Sequence, residues 1–214
     1  MKTNKKILLC LSGVIIVALM ISLMASQGNA TLAAEIEENF TQMSNLSVEQ
    51  TLSSNPYDYI NNEYYDNIVA LGVPAIEVLE ENYHNGVYTG LNAYIAALAI
   101  QDIANINLYK CTGTDWETPE QFFEKWDETM QDLSNIFDKI ANSDESMSDK
   151  IKQFENYGIF GKAFLTAAKE TKNNSFEFSG EKIILEEKLN LDNVSTISTK
   201  QLAEVNDYLE SITN

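Results

Sequence analysis

The segment Leu71-Gly72-Val73-Pro74-Ala75 is a helix stop followed at once by a helix start. Gly72 can take the left-handed conformation that closes a helix, and Pro74 suits a first helical turn, where the N–H it lacks would be unpaired anyway. Before this hinge, Ile60, Tyr64, Ile68 and Leu71 fall on one helical face. After it come Ile76, Leu79 and Tyr83, an Asn85-Gly86 break, and a third run carrying Leu91, Tyr94, Ile95, Leu98, Ile103 and Ile106. Ala93, Ala96, Ala97, Ala99 and Ala104 keep that third helix thin enough for neighbours to approach closely. The stretch 66–106 therefore predicts helices folded back on one another, a scaffold with no visible chemistry of its own.

The start of the chain sets the expected compartment. Lys2, Lys5 and Lys6 precede an uncharged run, 7–24, interrupted only by Ser12, Gly13 and Ser22, which is the pattern of an export signal. Two fates stay open. Gly28-Asn29-Ala30 suits a signal peptidase, so cleavage after Ala30 would secrete the rest. The apolar run also just reaches the thickness of a hydrocarbon core, and uncut it would anchor the chain as a single-pass protein with its domain outside the cell. Cys10 lies too early in the run, without preceding small residues, to suit lipid attachment.

The three leader lysines leave eleven others against thirty-two acids, a net charge of −21 on the exported part. Such a surface repels nucleic acid and anionic headgroups and suits basic partners. Beyond the leader Cys111 is the only cysteine, so no internal disulfide can form and stability must come from an apolar core. The absence of arginine and the twenty-two asparagines suggest an AT-rich, bacterial genome.

Three further helix signals follow in order. Leu32, Ile36, Phe40 and Met43 share a face opposite Glu35, Glu37 and Glu38, an amphipathic helix expected to act as a stalk over 31–54. Thr118-Pro119-Glu120-Gln121 opens a run with Phe123, Trp126, Met130, Leu133, Phe137 and Ile140 at three-four spacing, ended by Asn142-Ser143-Asp144. Ser198-Thr199-Lys200-Gln201 opens a last helix with Leu202, Val205, Leu209 and Ile212. Between them Ile151, Phe154, Tyr157, Phe160 and Phe164 predict a helical stretch broken near Gly158 and Gly161. Phe176-Glu177-Phe178 alternates like a strand, while 181–191 is expected as helix, with a hairpin arm as the other option.

The Leu-Gly ending, the Val73-Pro74-Ala75-Ile76 start and the later Ala96-Ala97-Leu98-Ala99-Ile100 resemble a HEAT-type helical repeat, and 55–108 resembles a module of uncharacterised exported proteins of Gram-positive bacteria. That resemblance implies a helical packing unit serving as a protein-binding scaffold. The arginine and aspartate that often link HEAT units are not recognisable, and the loop 82–90 is long. Gly72 and Gly158 lie two periods of forty-three residues apart, but no Leu-Gly pair marks a middle unit.

Inventory removes most catalytic constellations. His84 is the only histidine, and neither a nucleophile-elbow nor a phosphate-loop motif occurs. A Cys111–His84 dyad has no spacing rule behind it, and among thirty-two acids a carboxylate pair at hydrolase distance arises by chance. The segment 144–155 mimics a calcium loop through Asp144, Ser146, Ser148, Ile151 and Glu155, against which stand Asp149 at the turn-glycine position and Lys150 and Lys152 near the ion.

The sequence thus predicts an all-α chain: a leader or anchor over 1–30, a stalk over 31–54, and a HEAT-like domain of about six to eight helices over 55–214. The expected function is that of an exported, membrane-anchored protein-binding or scaffold module, with no catalytic residue, cofactor or metal. Its candidate protein contacts are Tyr57, Tyr59, Tyr65, Tyr83 and Tyr88. The alternatives are a cell-envelope enzyme using carboxylates and a calcium-regulated module.

Overall fold

A computed structural model describes residues 30–45, 55–170, 175–178, 181–184, 194 and 196–213. In chain order these form α1 (30–44), a 3-10 turn (Pro56–Tyr59), α2 (Glu63–Ala70), α3 (Pro74–His84), α4 (Gly90–Ala104) and α5 (Leu108–Thr112). Then come α6 (Pro119–Gln131), α7 (Leu133–Ala141), α8 (Met147–Asn156), α9 (Gly158–Glu170), β1 (Ser175–Phe178), β2 (Glu181–Ile184) and α10 (Thr199–Thr213). The architecture is helical. Ten α-helices among the described residues exceed the expected number, partly because the run from Thr118 to Ile140 divides at Asp132, although its six apolar residues are all buried.

The punctuation read from the sequence is present as local geometry. Gly72 has φ +75° and Pro74 opens α3. Gly86, just past the end of α3, has φ +73°. Ser198 and Gln201 cap α10 reciprocally, each side chain accepting the other's backbone N–H at 3.2 Å.

Two expectations need correction. The helix expected over 181–191 begins instead as a strand: β1 and β2 pair antiparallel with Phe178 opposite Glu181. Phe178 is buried against Phe137 and Phe164, ring centroids 5.3 and 5.5 Å away, and this tertiary anchor outweighs a weak local helical preference. Residues 185–191 lie outside the described residues. The second correction concerns the stalk. Over 30–44 the chain is helical, but Ile36, Phe40 and Met43 are buried in the common core. Phe40 stacks on Tyr88 at 4.6 Å, the Tyr88 hydroxyl donates to Glu37 at 2.6 Å, and Asn67 donates to Asn39 at 3.2 Å. An apolar stripe on an amphipathic helix is most stable when buried, and α2, α3 and the loop that follows α3 supply partners for it.

At the centre lies α4, which packs against α2, α3, α6 and α9. Its alanines admit these neighbours: Ala96, Ala97, Ala99 and Ala104 are fully buried. One close approach is at Gly158, φ +55°, where an added Cβ would meet the carbonyl oxygens of Ala104 and Asn105 at the end of α4. The leader falls outside the described residues, among which no helix is long and apolar enough to cross a membrane.

Candidate functional site

Three helices enclose a cleft of about 420 Å³. From α3 come Glu77, Glu80, Glu81 and His84, at the three-four spacing that puts them on one helical face. Asp127, Met130 and Gln131 come from α6, and Tyr208, Ser211 and Ile212 from α10. Four acidic side chains therefore converge, and no lysine is among the described residues that line the walls.

The acids occupy different environments. Glu80 is 8 % exposed. The Tyr208 hydroxyl donates to its Oε1 at 2.8 Å, Trp126 Nε1 donates to the same oxygen, and Trp126 Nε1 also lies 3.1 Å from the Tyr208 oxygen. Burial pushes the Glu80 carboxyl up to about 8 despite these two donors, with Asp127 and Glu77 adding smaller repulsions. The side chain is therefore mostly neutral at pH 7. Asp127 lies across the cleft with Oδ2 3.3 Å from His84 Nε2. Its carboxyl is also raised by partial burial, which outweighs the lowering by His84. Tyr83 stacks face to face on Phe123 at 3.6 Å, and His84 meets the same ring edge-on at 5.9 Å, so the end of α3 is held on α6.

The five tyrosines expected as contacts do not form one surface. Tyr59, Tyr65 and Tyr88 are buried at 5 %, 4 % and 2 % exposure, and the hydroxyls of Tyr65 and Tyr88 donate at 2.6 Å to Asp102 and Glu37. All three are core residues, the polar tips of Tyr65 and Tyr88 being satisfied by acids, which corrects their reading as contacts. Tyr83 is half-buried on Phe123, and Tyr57 alone is exposed, at 59 %. Tyr57 borders a second recess, of about 300 Å³, with Pro56, Tyr94, Leu98, Trp116 and Glu117.

The calcium pattern dissolves on the backbone. Ser146 caps α8, and residues 147–155 are helical, so the positions that should wrap an ion are committed to helical hydrogen bonds. Ser146 and Lys152 both bond the Asp149 carboxylate and hold it low. Cys111 and His84 have separate partners, the Asn156 carbonyl and Asp127. Burial pushes the Cys111 thiol up to about 12, an unreactive state.

Sequence reasoning passed over the acidic cleft although the Glu77, Glu80, Glu81, His84 spacing was visible; the partners that bury Glu80 lie far along the chain. No protein-family model matches the chain, and neither a curated protein nor a solved structure matches it.

Proposed function

We propose that the chain is an exported, membrane-tethered binding module that receives a basic segment of a protein partner in the cleft between α3, α6 and α10. One observation carries this reading: the walls hold Glu77, Glu81 and Asp127 around a buried Glu80, with no lysine among the described residues that line them. A lysine or arginine side chain entering the cleft would meet carboxylates on two helices, and the surplus negative charge of the whole chain would steer it there. The floor supports binding rather than turnover, because Oε1 of Glu80 is already engaged by Trp126 and Tyr208. The HEAT-type reading of α3 and α4 belongs to this proposal, as the scaffold that presents the cleft.

The test is titration of a labelled lysine-rich peptide into the purified full chain, read by fluorescence anisotropy. The double substitution Glu81→Gln and Asp127→Asn should weaken binding about tenfold or more, and added salt should weaken it further. Equal affinity for the substituted chain would end the proposal.

One observation favours a second reading, the carboxylate enzyme. Burial holds Glu80 protonated beside an Asp127 paired with His84, which places a proton donor and a proton acceptor in one cleft. Release of reducing ends from purified cell-wall glycan, lost in both Glu80→Gln and Asp127→Asn, would favour it over the binding module.

A further inference from the structure

The recess beside Tyr57 shares no residue with the acidic cleft and is built differently. Among the described residues its walls are Tyr57, Tyr94 and Trp116, closed by Pro56 and Leu98, with Glu117 as the one charged residue of that lining. Most of this box is held from behind. Trp116 Nε1 donates to Gln101 Oε1 at 3.2 Å, and the indole packs edge-on against Phe122 at 5.1 Å. The Tyr94 hydroxyl donates to the Glu117 carbonyl oxygen, while the Glu117 N–H donates to Gln121 Oε1 at 2.7 Å. Glu117 is thus anchored at both backbone groups.

These contacts select a ligand class. The polar edges of Trp116 and Tyr94 are engaged inside the fold, so the recess offers aromatic surface, one acidic residue and, at its exposed rim, the hydroxyl of Tyr57. A ligand that depends on donors from those two rings is poorly served, and an anion meets Glu117. An organic cation without N–H groups is served by both features, since aromatic rings and a carboxylate attract positive charge without needing a donated hydrogen bond. We propose that this recess binds a small trimethylammonium compound. The unphosphorylated cation is selected over a phosphate-bearing headgroup because the phosphate would face Glu117 on a strongly acidic protein. This proposal does not depend on the acidic cleft.

The chain has two tryptophans, and Trp126 is fully buried, so the two indole N–H resonances report separately; Trp116→Phe assigns them. Choline chloride is titrated into the full chain at constant ionic strength. A saturable shift of the Trp116 indole with that of Trp126 unmoved is expected. Tyr57→Ala, at an exposed position, should weaken the affinity about fivefold or more while leaving the Trp126 resonance in place as evidence of folding. Glu117→Gln should also weaken it, and phosphocholine and the neutral isostere 3,3-dimethylbutanol should bind less well than choline. A flat choline titration overturns the proposal. So does equal binding of the neutral isostere, which would leave only an apolar recess, or tighter binding of phosphocholine, which would make the ligand a headgroup.

Discussion

Tyr208, on the last helix, donates a 2.8 Å hydrogen bond to Oε1 of Glu80, 128 residues earlier in the chain. Trp126 donates to the same oxygen, so one buried carboxyl joins α3, α6 and α10. The Tyr208 ring also packs beside Phe160, centroids 5.8 Å apart. Tyr208→Phe keeps that ring and removes the donor. Urea unfolding should show a loss of about 1–2 kcal/mol with an unchanged slope.

The same carboxyl makes stability depend on pH. Burial raises Glu80 from an ordinary 4.5 to about 8 in the fold, so between these values the folded chain binds more protons than the unfolded one. Its contribution is complete below about pH 4.5 and is lost as pH rises through about 8. Thermal melts of the wild type should shift down between about pH 5.5 and about pH 8.5, with a span on the order of a few kcal/mol from this group. Glu80→Gln, which stays neutral, should remove this component and raise the melting temperature at the alkaline end.

Gly158 and Gly86 both have positive φ, yet their surroundings differ. A Cβ at Gly86 meets open space, whereas one at Gly158 runs into the backbone oxygens that close α4. Gly86→Ala should cost about 1 kcal/mol, the strain of the left-handed conformation alone. Gly158→Ala must also push α9 off α4 and should cost about 3 kcal/mol or more. Chemical denaturation of the pair separates backbone strain from helix contact.

Because α1 is docked rather than free, truncating its core face should unfold the domain measurably. Phe40 is 3 % exposed and stacked on Tyr88. Phe40→Ala should destabilise by about 3–5 kcal/mol in urea titration, where a free stalk would register almost nothing.

Helix boundaries were readable because capping depends on residues within one turn of each other: Gly72 with Pro74, Thr118 with Gln121, and Ser198 with Gln201 act over four residues or fewer. The errors have one origin. Tyr65 lies beside Tyr64 on the helix, and periodicity favoured Tyr64 for the core, but Asp102 on α4 receives the Tyr65 hydroxyl and Tyr65 is the more buried of the two. Glu181 to Ile184 carried a weak helical signal until Phe178 found its place among Phe137 and Phe164 and left the following residues to pair with β1.

Residue order alone was enough for the helical class, the negative surface and those helix ends that carry their own caps, since these follow from near-neighbour sterics, apolar periodicity and summed charge. Folding decided which acids meet. Glu80 looks like any other exposed glutamate until Trp126 and Tyr208 close over it from two distant helices. A carboxyl's solvation is a property of everything around it in space, so only the packed chain could turn that side chain into the neutral floor of an acidic cleft.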